Sequence, residues 1–425
     1  MFHSVLHSAR RALFFQTLGF CAILSIAAPS GAAVVNRTLA TNGDGPFSYY
    51  RIVALAGLSD GVVLAAFDGR PDGSDAPSPN SILQVRSTDN GETWGNVTYI
   101  AHGQPGSTGV QKYGFSDPSY VIDSATGKVF NFHVFSKDQG FAGSVLGNDD
   151  TDVGVLSAEV SVSTDGGLSW TTDPASQPGL PPVAAGTKGA PPLITTAIKP
   201  NGSMVDGVDN VGGVLGAFAT SGEGIQLNYG SYAGRLIQQF VGRIIQSDGS
   251  IVYQAYSVYS DDGGSTWQMG TPVGTGMDEN KVVELSNGTV MLNSRSSDGS
   301  GYRKVALSND GGDTYSTPRT EAQLPDPANN GAITRMYPDA AEGSESAKVL
   351  LFTNANHRSS RKNGTVRYSC DDGNTWSSGK VFSPGATSYS TITALSDDKF
   401  GIFYEGLNNQ LIFLQVDATW LEVSC

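Results

Sequence analysis

Short runs of alternating apolar and polar residues recur along this chain: SILQVRS, SAEVSVS, YQAYSVYS, YRKVALS and TVRYS. A period of two is the mark of a half-buried β-strand. Each run ends in the same pattern, Ser-x-Asp-x-Gly-x-x-Trp/Tyr: STDNGETW from Ser87, STDGGLSW from Ser163, SDDGGSTW from Ser260, SNDGGDTY from Ser308 and SCDDGNTW from Ser369. Ser and Asp side chains can hydrogen-bond the backbone of a tight turn, Gly accepts a positive φ, and a closing aromatic can pack between strands. Each copy therefore predicts a β-hairpin turn. Further strand-like runs fill the intervals, among them VVLAAFD, KVFNFHVF, GRLIQQFVGRIIQ, TVMLNSRS, KVLLFTNA, KFGIFYEG and QLIFLQV. No long amphipathic helix is evident, so the chain reads as all-β.

The repeats fall 76, 97, 48 and 61 residues apart. Repeats at this period indicate a propeller, in which each blade is one supersecondary unit, whereas a sandwich gives no reason for a recurring turn. At roughly 65 residues for a four-stranded blade with its loops, the chain accommodates six blades, one of them lacking the turn motif. The stretch Thr171 to Ala219, with its QPGLPPVAAGTKGAPPL segment, breaks the rhythm and reads as a long surface insertion.

Two basic residues, Arg10 and Arg11, precede an apolar run to about Ala28 and a small-residue exit near Ala32 and Ala33. Residues 1–33 are therefore expected to be a secretory signal, and residues 34–425 the propeller. The whole chain has 53 Gly and 20 Pro, 16% charged residues and a mean hydropathy of −0.16, values that suit a turn-rich globular protein. A formal net charge of −14 argues against nucleic acid or an anionic membrane as partner. Beyond the leader only Cys370 and Cys425 remain, and in an oxidising compartment they are expected to pair. Asn36, Asn96, Asn201, Asn287 and Asn363 each open an Asn-x-Ser/Thr sequon.

Few residues are suited to chemistry. His102, His133 and His357 have no metal-site spacing. GLSDG (57–61) fits Gly-x-Ser-x-Gly, but it lies between two β-runs rather than at a strand-to-helix elbow, so it reads as a hairpin turn. Carboxylates, arginines and tyrosines at interruptions of the strand pattern are what remain, and taken singly each is compatible with a solvated surface or packing role.

Ordered local motifs change that picture. YYRIVAL contains Arg51, DGRPDGSDAPSPNS contains Arg70 and Asp75, GFSDPSY contains Asp117, GMDENK contains Glu279, NSR contains Arg295, SSRKNGT contains Arg361, and SYSTITAL contains Tyr389. In this order they resemble the secreted exo-sialidases of microbes, glycoside hydrolases with a six-bladed propeller and the same turn repeats, known as Asp-boxes. The resemblance runs from about Phe47 to the C-terminus; Val53 stands where the family usually has Pro. It implies that Arg51, Arg295 and Arg361 form a carboxylate-gripping triad, that Tyr389 is the nucleophile, that Glu279 activates it, and that Asp75 is the acid/base. Arg70 and Asp117 match secondary pocket positions. Glu284, Arg303, Arg358 and Arg367 compete with these assignments on sequence alone.

The chemistry is self-consistent. Sialic acid carries a carboxylate on its anomeric carbon, and the planar, always-charged Arg fork suits that anion. The same carboxylate repels an anionic nucleophile, whereas a neutral phenol can approach if a base assists it. For this reason sialidases depart from the two-carboxylate scheme of most glycosidases. The resemblance implies a monomer acting on sialylated glycoproteins, glycolipids and oligosaccharides, without cofactor or metal. The rivals are a transferring or intramolecular sialidase, a different sugar hydrolase working through two carboxylates, and a non-catalytic sialoside-binding propeller.

Overall fold

In the computed structural model, which describes residues 35–171, 193–202, 204–205 and 208–425, six blade sheets assemble around one axis, and Met204–Val205 and Val208–Asp209 form a separate two-stranded pair. The first blade is a meander of Tyr49–Gly57, Val63–Arg70, Ser81–Ser87 and Thr98–Ala101. The fourth (Met277–Glu284, Val290–Ser296, Tyr302–Ser308, Arg319–Pro325) and fifth (Ala332–Arg335, Leu350–Ala355, Lys362–Ser369, Lys380–Ala386) repeat it. Each blade is covered on both faces by its neighbours. Strands such as Val63–Arg70 and Met277–Glu284 are therefore buried along their whole length and read as continuous rather than alternating patterns.

The apolar core is divided accordingly into six clusters, one at each seam between adjacent blades. Phe130 and Phe132 of the second blade meet Phe240 and Tyr256 of the third, and Tyr50 and Phe67 of the first meet Phe403 and Phe413 of the sixth. The ring closes through the sixth blade. Its strands Ser390–Ala394, Lys399–Glu405 and Leu411–Asp417 are completed by Val35–Ala40 from the other end of the chain, with Val35 opposite Gln415. Closure leaves no sheet edge between first and last blade. It also explains the missing sixth turn motif: the motif joins the third and fourth strands of a blade, and here those strands are not consecutive in sequence.

The five repeat turns share one network. In each, the Ser hydroxyl donates to the Asp carboxylate (2.7–2.8 Å) and accepts the N–H of the Gly four residues on (2.8–2.9 Å). That Gly has a positive φ in every copy, and it abuts the preceding blade. A Cβ on Gly91 would lie 2.2 Å from Phe413, one on Gly264 2.2 Å from Phe130, and one on Gly373 2.9 Å from Met291. The motif is thus a clamp between blades as well as a turn. The closing aromatics act in the same seams: Trp94 packs edge-on against Phe413 and Trp267 against Phe132. The GLSDG segment is a hairpin turn between the first two strands of the first blade.

One expectation changes. The segment Thr171–Ala219 is not one long irregular insertion. Residues 172–192, 203 and 206–207 lie outside the described residues, but Thr195–Ile198 is a helical turn and Val214–Ala219 is the first strand of the third blade, paired with Leu236–Ile245. That strand (VLGAFA) is poor in bulky residues because it is closely packed: a Cβ on Gly216 would stand 2.7 Å from the Phe141 carbonyl oxygen. The second blade (Gly114–Asp123, Lys128–Ser136, Ser157–Ser163) departs from the simple meander, since its inner edge is extended by Gly222–Glu223, which runs parallel to Ser119–Tyr120. The expected secretory signal, residues 1–33, lies outside the described residues. Cys370 and Cys425 are joined, with Cα atoms 5.5 Å apart, tying the end of the chain to the fifth repeat turn.

The clamp role of the turn glycines has a measurable consequence. Gly264→Ala combines a positive φ with a steric collision and is expected to cost about 3 kcal/mol in urea unfolding. Gly249→Ala, also at positive φ (82°) but with nothing within 4 Å, is expected to cost only about 1 kcal/mol.

Candidate active site

The innermost strands deliver polar residues to one end of the axis through local breaks in pairing. The register of the first blade slips between Arg51 and Val53, where Ile52 takes φ 62°. A β-branched residue in that region is strained, and its N–H is held instead by Glu405 Oε1 at 2.7 Å. The second blade bulges between Ser116 and Ser119, with Asp117 at φ 64° and its N–H donated to Asp68 Oδ1 (3.1 Å). A third break, between Met277 and Asn280, carries Asp278 and Glu279. Bulges re-aim side chains that a regular ladder would send into the seams.

These breaks converge on Tyr389, just ahead of the first strand of the sixth blade and 7% exposed. Its phenol donates to Glu279 Oε2 at 2.7 Å. Arg295 lies against the same pair: its Nη1 donates to Tyr389 Oη at 3.2 Å and also ion-pairs with Glu279, while its Nε is 3.3 Å from Asp278 Oδ2. The guanidinium carbons of Arg51 and Arg361 lie 5.5 and 5.4 Å from the centre of the Tyr389 ring. Glu405, fully buried, anchors Arg51 at 3.2 Å, and the Ala328 carbonyl and Ser388 hydroxyl accept from Arg361. Burial, then the adjacent Glu279 carboxylate, push the Tyr389 phenol well above its ordinary value, against the opposing pull of Arg295 and Arg361. The phenol is therefore neutral at rest.

Arg70 and Asp75 stand to one side. Arg70 is buried and bridges Asp68 (2.8 Å) and Asp75 (2.6 Å). The Asp75 side chain is 78% exposed at the rim, on the loop after Val63–Arg70. Burial raises the Asp68 carboxyl to about 6 despite Arg70, and burial with the nearby Asp68 and Glu279 charges raises Asp117 well above the usual carboxylate range.

All eight residues singled out by sequence thus lie in one neighbourhood, and seven of them, all but the buried Arg70, line a cavity of about 390 Å³. Its other wall is apolar, with Val134, Phe141, Leu156, Phe218 and Tyr253. The competing assignments separate cleanly. Glu284 lies at the opposite mouth of the channel, accepting the Asn228 and Tyr229 N–H groups. Arg303 is buried against Asn293 and Asp326, Arg358 stacks on Tyr302, and Arg367 is buried on the third strand of the fifth blade. Sequence reasoning missed Glu405, Asp278 and the apolar wall. Glu405 is the penultimate residue of the recognised run KFGIFYEG, but nothing local marks its contact with Arg51, far away in the sequence. Chemically, three guanidiniums around one small volume suit a carboxylate, and a neutral phenol on a carboxylate base suits a nucleophile.

Residues 223–403 match the family model of a BNR repeat-like domain. The chain is 50% identical over 92% of its length to a sialidase of Micromonospora viridifaciens, and 26% identical over 88% of its length to one of Bacteroides fragilis. It spans 54% and 63% of those proteins. Among solved structures it superposes on the Hadza microbial sialidase Hz136 with a TM-score of 0.74 (23% identity, 91% of this chain and 69% of the other). It also superposes on the intramolecular trans-sialidase of Ruminococcus gnavus with a TM-score of 0.67 (19% identity, 89% and 96%). These likenesses carry the fold.

Glu405→Ala removes both the anchor of Arg51 and the acceptor of the Ile52 N–H. It is expected to destabilise the protein by about 2–4 kcal/mol in urea unfolding, whereas Asp75→Ala at the exposed rim should change stability by no more than about 0.5 kcal/mol.

Proposed function

We propose that this chain, which is similar to microbial sialidases, is an exo-α-sialidase that releases terminal α-linked sialic acids from glycoproteins, glycolipids and oligosaccharides with retention of configuration. The observation that carries this reading is the Tyr389–Glu279 hydrogen bond set among Arg51, Arg295 and Arg361. In the proposed mechanism the sugar carboxylate lies between the three guanidiniums, which places the anomeric carbon beside the phenol. Glu279 takes the phenol proton as the oxygen attacks, the glycosidic bond breaks, and the leaving oxygen receives a proton from Asp75 at the rim. Water then resolves the tyrosyl glycosyl-enzyme, with Asp75 accepting its proton. Burial serves this scheme because the phenol stays neutral while the anionic substrate enters. The apolar wall of Val134, Phe141, Leu156, Phe218 and Tyr253 excludes water from the opposite side of the cavity.

The same reading includes a secreted monomer whose first 33 residues are a signal, which acts without cofactor, and in which the Cys370–Cys425 link forms in an oxidising compartment.

Tyr389→Phe should lower kcat on a fluorogenic α-sialoside by roughly a thousandfold while the unfolding midpoint stays near that of the wild type; full activity in this variant rules out the nucleophile assignment. Arg361→Ala should weaken kcat/KM by about 2–4 kcal/mol, the scale of a lost charge-assisted pair, and unchanged constants would exclude it from the triad.

A further inference from the structure

Of the three arginines at the site, Arg361 is the exposed one and is held differently from the others. Arg51 pairs with Glu405, and Arg295 with Asp278 and Glu279. Arg361 instead donates to two neutral acceptors, the Ala328 carbonyl oxygen from Nη2 at 3.1 Å and the Ser388 hydroxyl from Nη1 at 3.2 Å. A long, solvated side chain keeps one direction only while such acceptors stay in place. Both of them lead to one buried asparagine.

Ala328 and Asn329 lie in the connection from the last strand of the fourth blade to the first strand of the fifth. Ala328 takes φ 57°, a left-handed angle that a residue with a Cβ adopts at a cost, so neighbouring contacts must enforce the direction of its carbonyl. Asn329 is fully buried and pinned at every polar position of its backbone: its N–H donates to the Asp326 carboxylate (3.3 Å), and its carbonyl accepts from Arg303 Nη1 (2.8 Å). Arg303, a buried charge that the proposed reaction does not use, is fixed in turn by the side-chain oxygen and carbonyl of Asn293 (2.7 and 3.2 Å) and by Asp326 at 3.6 Å. From this support the Asn329 side chain reaches across to the sixth blade, where its Nδ2 donates to the Ser388 carbonyl at 2.8 Å. Ser388 directly precedes Tyr389. Asn329 therefore holds the backbone from which the phenol projects, while the residue before it presents one acceptor to Arg361 and the residue it holds presents the other.

We propose that Asn329 is a positioning residue that sets Arg361 and Tyr389 in register with each other, its side-chain amide joining the connection that carries one Arg361 acceptor to the residue that carries the other. The two side chains serve one sugar: Arg361 grips its carboxylate, and Tyr389 attacks the carbon that bears that carboxylate. The Arg361 guanidinium carbon stands 5.4 Å from the Tyr389 ring centre, so a shift of either side chain alters the attack geometry directly. A misplacement of about 1 Å can cost about a hundredfold in rate. The inference rests on the sialidase reading.

The test compares kcat and KM on a fluorogenic α-sialoside for the wild type, Asn329→Leu, Ser388→Ala and the double variant, each shown to be folded by circular dichroism. Asn329→Leu, near Asn in size but without the donor, should lower kcat about 10- to 100-fold and raise KM about threefold or more. Ser388→Ala removes one Arg361 acceptor but leaves the backbone hydrogen bond to Asn329, so KM should rise about threefold while kcat stays within about twofold of the wild type. Because both changes reach Arg361 through Ser388, KM of the double variant should exceed that of Asn329→Leu by no more than about twofold. If Asn329→Leu does not fold, Asn329→Ala, which removes the same donor, takes its place. A folded variant whose thermal midpoint falls but whose kcat and KM stay within about twofold of the wild type gives Asn329 a purely structural role and overturns the inference, leaving the sialidase reading intact. Effects on KM that multiply in the double variant overturn it too. A wild type inert toward sialosides overturns the sialidase reading itself.

Discussion

The Tyr389–Glu279 hydrogen bond, 2.7 Å long and shut away from solvent, is the interaction around which this protein is arranged. A phenol and a carboxylate buried together would be unfavourable unless positive charge surrounds them, and Arg295, Arg51 and Arg361 supply it from the fourth, first and fifth blades. Those arginines are in turn fixed by neighbouring groups. Glu405 holds Arg51, Asp278 holds Arg295 Nε, and the Ala328 carbonyl and Ser388 hydroxyl hold Arg361. Every blade but the third contributes a charged group or the Tyr389 phenol to the pocket or its anchors, and the third contributes Phe218 and Tyr253 to the apolar wall.

This convergence depends on ring closure. Six apolar seams hold the blades face to face, and the pairing of Val35–Ala40 with Leu411–Asp417 joins the two ends of the chain in one sheet. Once the ring is closed, the first strands of the blades must run beside one axis, and polar residues at their catalytic ends have no alternative direction. The repeat turns support this from the periphery, each pressing a glycine against the preceding blade. Local irregularity does the rest: Ile52 and Asp117 accept strained backbone angles where the ladder breaks, and the freed N–H groups go to Glu405 and Asp68, both buried carboxylates.

The architecture was readable because its signal is local. A serine two residues before an aspartate and four before a glycine encodes a complete hydrogen-bonded turn, so five copies announce five hairpins with no reference to the rest of the chain. The third strands of the blades announced themselves by alternation, and the second strands as apolar runs. The first strands were harder. Met277–Glu284 contains four charged residues and is buried throughout, and Val214–Ala219 mixes Gly216, Ala217 and Ala219 with larger residues; neither obeys a simple period because each serves the axis and a seam at once.

The sequence by itself determined the blade count, the turn chemistry and, through ordered motifs, which eight polar residues belong together. Tertiary structure supplied their separation in space from the competitors: Glu279, Arg295 and Arg361 line the pocket, whereas Glu284, Arg303 and Arg358 do not. It also revealed Glu405 as the support of Arg51. The reason is physical. A turn is stabilised within eight residues, whereas the field at Tyr389 is the sum of charges brought from strands hundreds of residues apart, and no local pattern records which charges closure will place side by side.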